Sequence, residues 1–160
     1  MTLSNLVKIL LIEDSLPEAR LLVEFLRQAD SKEFHLTHVQ RLKEGLNALS
    51  RENYHVILLD LTLPDSQGLS SLPILINHAP STPIVVLTNT NDEELAIEAV
   101  RQGAQDYLVK RQVNFDGLVR SVCYAIERKQ ALETLRTVNQ NLQVRVEERT
   151  AELVKANELN

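Results

Sequence analysis

Apolar residues gather in five strand-length runs, at 7–12, 34–39, 56–59, 84–87 and 107–109, and helical spacing fills the segments between them. Ala19, Leu22, Val23 and Leu26 recur at i, i+3, i+4, i+7 and mark one face of a first helix. Ser15 stands three residues before Glu18, a capping-box spacing, and Pro17 suits a first turn whose amides are unpaired anyway. Leu42, Leu46 and Leu49 trace a second helix, and Leu69, Leu72, Leu75 and Ile76 a third, after a turn over 65–68. A fourth is expected from an Asn91 cap, with Glu94 three residues on, through Ala96, Ala99 and Val100 to Gly103 at C′. The fifth starts near Asn114 and turns Leu118, Val119, Val122, Ala125 and Ile126 inward. Strands that alternate with helices predict an α/β fold with a parallel sheet, because parallel strands need crossovers and each crossover helix buries its apolar stripe. The runs 9–12, 56–59 and 84–87 are apolar without alternation, as strands covered on both faces should be.

The length of 160 residues and a composition 44% hydrophobic and 24% charged allow one folded domain with a short appendage. A net charge of −5 and the lack of a Lys/Arg run argue against direct nucleic-acid binding and against an anionic membrane surface. Cys123 is the single cysteine, so neither a disulfide framework nor a multi-cysteine zinc site can form. With no signal-peptide pattern and no membrane-length apolar stretch, a cytoplasmic location is expected.

The chemistry lies where the strands stop. Glu13 and Asp14 follow the first, Asp60 the third, Thr88 the fourth and Lys110 the fifth. In an open parallel sheet these are the carboxyl ends, the edge that carries ligand sites. Two or three carboxylates in one pocket repel unless a cation joins them. Mg²⁺ fits, since it takes oxygen ligands from one or two carboxylates, water and phosphate. An aspartate can act as nucleophile toward phosphorus, and the resulting phosphoryl oxygens need an ammonium and a hydroxyl, which Lys110 and Thr88 supply. The backbone carbonyl of Thr62 is a further candidate metal ligand.

These residues resemble the receiver domains of two-component response regulators over roughly 6–128. The resemblance is carried by Ile-Glu-Asp at 12–14, Leu-Asp-Leu-Thr-Leu-Pro-Asp-Ser-Gln-Gly-Leu at 59–69, Leu-Thr at 87–88 and Gly-Ala-Gln-Asp-Tyr-Leu-Val-Lys at 103–110. It implies a flavodoxin-like doubly wound five-stranded sheet in the order 2-1-3-4-5 with five helices. It also implies that Asp60 is the phosphoacceptor, that Glu13, Asp14 and Asp60 bind the divalent ion, and that Thr88 and Lys110 contact the phosphoryl group. Tyr107, three residues before the lysine, matches an aromatic that moves inward when the threonine is drawn to the phosphate. The implied partner is a sensor histidine kinase or a phosphotransfer protein, and the implied role is a signalling switch rather than an enzyme. Two positions depart from the pattern. Arg111 follows the lysine where the family usually has a proline joined through a cis bond, and Asn89 stands where a small residue is common.

A lone aspartate at a strand end is more often a turn residue; four partners in register favour the site. Tyr107 also has a plain core reading, and His35, His38, His55 and His78 show no ligand spacing. Two other functions stay open. A metal-dependent phosphatase would need a second carboxylate two residues after the nucleophile, where Thr62 stands. A degenerate receiver that only binds or dimerises is compatible with Arg111.

Beyond the domain at 1–128, residues 129–160 are read as a helical coiled-coil linker. Leu132, Leu135, Asn139, Leu142, Val146, Arg149, Leu153 and Ala156 follow a 3-4 spacing, with Asn139 at an a position and Arg149 at d. A homodimer through this helix is expected, and a single amphipathic helix folded on the receiver is the alternative. The stretch 145–153 also looks like linkers that lead into sensor or histidine-kinase modules, and the unbroken helical pattern suggests the front part of a longer protein.

Overall fold

The computed structural model describes residues 6–28 and 33–158. Seven strands and five α-helices follow in the order β1 Leu6–Ile12, α1 Leu16–Arg27, β2 Glu33–Val39, α2 Leu42–Arg51, β3 Val56–Asp60, β4 Thr62–Leu63, β5 Ser66–Gln67, α3 Ser71–His78, β6 Ile84–Thr88, α4 Glu93–Arg101, β7 Asp106–Val109 and α5 Phe115–Glu158. The five long strands form one parallel sheet in the order β2-β1-β3-β6-β7, which is the expected 2-1-3-4-5 once the short strands are set aside. β4 and β5 pair antiparallel as a separate ribbon just after Asp60.

Side chains alternate across the sheet, so each central strand feeds two cores. Leu10, Ile12, Ile57, Leu59, Ile84 and Val86 meet Leu42, Leu72, Leu75 and Ala99 on the face of α2, α3 and α4. Ile9, Leu11, Val56, Leu58, Val85 and Leu87 meet Ala19, Leu22, Leu26, Leu118, Val122 and Ala125 on the face of α1 and α5. This is why β3 and β6 lack any polar alternation: all five residues of each are buried. β2, at the sheet edge, is covered only in part.

Local details depart from expectation in three places. Asp92, not Asn91, caps α4, and its Oδ1 accepts the amides of Glu94 at 3.0 Å and Leu95 at 3.2 Å. Leu69 belongs to a 3₁₀ turn over Gly68–Ser70, and α3 begins only at Ser71. Val100 is exposed, while Leu95 packs on the core in its stead. Gly103 takes φ +117°, which a C′ glycine accepts and a side chain would resist.

The N-cap residue of α2, Arg41, makes no side-chain cap. Asp65 replaces it from the ribbon turn, accepting the amides of Leu42 at 2.9 Å and Lys43 at 3.0 Å. The Lys43 amide, with less from Leu42, holds the Asp65 carboxyl below its usual value. Asp65→Ala is expected to lose about 1–2 kcal/mol, the worth of a helix N-cap. Thermal unfolding at neutral pH should drop by about 3–6 °C. Because the folded value is depressed, the contribution is present at neutral pH and fades as pH falls through that value, so the two proteins should converge in acid. An equal gap at acid and neutral pH would count against the cap.

Cα proximity separates the chain into two units, Met1–Lys129 and Gln130–Asn160. In the second, the described residues are helical to Glu158, and Leu132, Leu135, Leu142, Val146 and Leu153 are each at least half exposed. The tail pattern runs on to Asn160, whose last two positions lie outside the described residues.

Candidate functional site

Parallel pairing brings the ends of β1, β3, β6 and β7 to one edge of the sheet. The register steps along that edge: Ile12 stands beside Leu59, Asp60 beside Leu87, and Thr88 beside Val109. The residues just past these pairs therefore converge. Glu13 is fully buried, Asp60 is nearly so, Thr88 is buried, and Asp14 is exposed. Carboxylate oxygens of Glu13, Asp14 and Asp60 all lie within 4.8 Å of one another. The Nζ of Lys110 enters the same cluster, 2.5 Å from Glu13 Oε2 and 3.3 Å from Asp60 Oδ1. Its backbone is fixed by an amide donated to the Thr88 carbonyl at 2.7 Å.

The electrostatics are those of a site short of positive charge. Burial pushes the Glu13 carboxyl up to about 8; the charge of Asp60 adds to this and Lys110 only partly opposes it. Burial also raises Asp60, against the pull of Lys110, Glu13 and the Thr62 amide, which donates to Asp60 Oδ1 at 3.3 Å. Burial alone would lower the Lys110 ammonium, but the close carboxylates of Glu13 and Glu18 and the charge of Asp60 raise it instead. Glu13 Oε2 sits 2.5 Å from Lys110 Nζ yet has no hydrogen-bond partner at an acceptable angle, so the contact is a charge pair rather than a directed bond. A buried Glu13 carboxylate with one oxygen lacking a directed partner, in a cluster where three carboxylates bring oxygens within 4.8 Å of one another, fits a hard divalent cation.

The hydroxyl of Thr88 turns to Thr90, 3.1 Å from its Oγ1, and accepts the Thr90 amide at 3.2 Å. Tyr107, half-buried on β7, donates its hydroxyl to the Thr90 carbonyl at 3.0 Å, so Thr88, Thr90 and Tyr107 form one hydrogen-bonded chain. Tyr107 also lines a groove of about 560 Å³ with Ala96, Asn114 and Arg120. Thr62 is exposed at the start of the ribbon, with its amide turned to Asp60. The two departures from the receiver pattern meet each other: Arg111 donates to the Asn89 carbonyl at 3.2 Å. Among the described residues no peptide is cis, so Lys110 reaches the carboxylates through a trans Lys110–Arg111 bond.

Two contacts escaped the sequence reading. Glu18 was visible only as a capping residue, and half of that role is present: its amide donates to Ser15 Oγ at 3.4 Å. The Ser15 amide turns instead to Glu13 Oε1 at 3.1 Å, and the Glu18 carboxylate accepts from Lys110 at 2.5 Å. His38, without ligand spacing in the sequence, sits 2.6 Å from the Glu13 carbonyl and pins the strand end that carries the acid.

Residues 9–122 match the family described as the response regulator receiver domain. The chain is similar to the regulatory protein LuxO of Vibrio cholerae, 32% identical over 134 residues that make up 83% of this chain and 29% of that one. It is also similar to the swarming motility regulation protein RssB of Serratia marcescens, 35% identical over 104 residues, 65% of this chain and 46% of the relative. The chain thus spans less than half the length of these relatives. Among solved structures, the receiver domain of a Francisella response regulator superposes with a TM-score of 0.68 at 28% identity, covering 76% of this chain and 98% of that one. A sensor protein from Polaromonas gives 0.67 at 27%, covering 77% and 98%.

Proposed function

The chain belongs to the response regulator receiver domain family, and from that membership we propose that it is a phosphoacceptor switch in which Asp60 takes up a phosphoryl group with the help of Mg²⁺. The observation that carries this reading is the gathering of the Glu13, Asp14 and Asp60 carboxylates within 4.8 Å, with the Lys110 ammonium against two of them. Glu13, Asp14 and Asp60 would hold the ion, with the Thr62 carbonyl as a further ligand. When bound, the ion neutralises charge on the phosphoryl oxygens.

An Asp60 carboxylate oxygen attacks the phosphorus of a donor, either the phosphohistidine of a sensor kinase or phosphotransfer protein, or a small acyl phosphate. The new bond joins that oxygen to phosphorus; the bond from phosphorus to the donor breaks, and its electron pair leaves with the imidazole or the carboxylate. Lys110 pairs with one phosphoryl oxygen. Thr88 donates to another, which requires its hydroxyl to leave Thr90. Tyr107 shares that hydrogen-bonded chain and lines the neighbouring groove, so it carries the change to the face between α4 and α5 as a shift of population rather than a new fold.

In this reading residues 1–128 are the receiver, working in the cytoplasm, and 129–160 a coiled-coil linker that pairs two copies and leads to an output module. Full-length protein incubated with Mg²⁺ and acetyl phosphate and weighed intact should gain the mass of one phosphoryl group. EDTA should abolish the gain. An unchanged mass with Mg²⁺ present, or equal labelling with the metal chelated, sinks the reading.

A further inference from the structure

Lys110 has a third carboxylate that the proposed chemistry does not use. An ammonium has three N–H donors, and here three carboxylates surround it: Glu13, Asp60 and Glu18. The ammonium directs a hydrogen bond to Glu18 Oε2 at 2.5 Å, whereas Glu13 Oε2, equally close, and Asp60 Oδ1, at 3.3 Å, are charge contacts. Glu18 sits in the first turn of α1, ninety-two residues from Lys110 along the chain. Its carboxylate is free for this task because the Ser15 amide, its partner in a complete capping box, is already given to Glu13.

We propose that Glu18 is a positioning residue that tethers the Lys110 ammonium in a resting place, so that an incoming phosphoryl donor must displace it and Asp60 is phosphorylated more slowly than the rest of the site permits. This rests on the receiver reading above. With carboxylates of three residues crowded around the ammonium, a phosphoryl oxygen can reach Lys110 only by displacing one of them. Glu13 and Asp60 are buried, so stripping their ion pair leaves a charge without water. Glu18 is 38% exposed, so water takes over from the ammonium at least cost. It is the partner that gives way. Its negative charge also stands beside the ammonium that an anionic donor has to reach, which opposes approach in the same direction.

The test is the second-order rate constant for acetyl phosphate labelling of the full chain in saturating Mg²⁺, for wild type, Glu18→Gln and Glu18→Asp. Glu18→Gln should label about fivefold faster, the size of one ion pair near a protein surface. Glu18→Asp keeps the charge and the acid in the first turn but is one methylene short of Lys110, so it too should label faster, by about threefold or more on the same scale. Equal rates in all three proteins, or slower labelling in either variant, overturn the tether. A gain in Glu18→Gln with none in Glu18→Asp overturns it as well, because charge alone would then act. The Lys110 Cε resonance is a second measurement, independent of turnover: it should move in both variants, and an unmoved signal counts against the contact. If wild type does not label, the receiver reading fails and the tether falls with it; if wild type labels and the variants match it, only the tether fails.

Discussion

Asp60→Asn protein is expected to gain no phosphoryl mass under conditions that label the wild type, and to unfold at a higher temperature than wild type when Mg²⁺ is absent. The first result follows from chemistry. An amide has no anionic oxygen to attack phosphorus, and no other carboxylate near Lys110 belongs to the strand end at the middle of the sheet edge. The second follows from electrostatics. Burial and like charge work against ionised Asp60 and Glu13, whose carboxyls are both raised, and a carboxyl raised above its unfolded value weakens the fold at pH above that value. Removing one of the two charges relieves the other, while Lys110 keeps Glu13 and Glu18 as partners. A gain of about 1–2 kcal/mol is expected, about one pKa unit's worth, or roughly 3–6 °C. Mg²⁺ should reverse the order, because a ligand at a hundred times its dissociation constant stabilises the protein that binds it by about 2.7 kcal/mol, and the variant has lost one ligand. Labelling equal to wild type would remove Asp60 from its proposed role. A melting order insensitive to Mg²⁺ would remove the metal from the cluster.

The parts of the molecule that the sequence made legible are those where one residue's environment is set by its own strand. Ile57, Leu58 and Leu59 are apolar in succession because both faces of β3 are covered. The polar residues that follow such runs, Asp60 and Thr88, then fall at one edge by parallel topology alone, without any pairwise contact having to be guessed. What stayed hidden depends on distances between elements. Glu18 has no motif that announces Lys110, since the meeting arises only when the first turn of α1 packs beside the end of β7. Asn91 and Asp92 are both good capping types, and only the path of the loop decides that the Asp92 carboxylate accepts the amides of Glu94 and Leu95. The hydroxyl of Thr88 was expected at the phosphoryl position and is found on Thr90, a choice of rotamer that no spacing encodes.

Leu142→Asp is expected to weaken self-association of the chain by about a thousandfold while leaving acetyl phosphate labelling of Asp60 within reach of wild type. A parallel pairing of two tails would rest on the a and d positions alone. In the heptad that places Asn139 at a, the g and e′ residues facing each other in a parallel pair are Ala131 with Arg136, Val138 with Gln143, Arg145 with Thr150 and Glu152 with Asn157. None of these is an oppositely charged pair, so no salt bridge supplements the seam. Two of the eight core positions are polar: in such a pair Asn139 would face Asn139 and set register, while Arg149 would face Arg149 and repel. Leu132, Leu135, Leu142, Val146 and Leu153, all exposed in the single chain, would carry the association. Leu142 and Val146 are the two apolar layers between Asn139 and Arg149, so loss of Leu142 leaves Val146 as the single apolar layer in that stretch of the seam. Each buried leucine contributes about 2 kcal/mol, and a dimer loses two of them, about 4 kcal/mol in total. Sedimentation across a range of concentrations would show the shift. A variant that sediments as the wild type does would mean that the helix does not pair through this seam, and a wild type that stays monomeric at all concentrations would remove the coiled coil from the proposed function without touching Asp60.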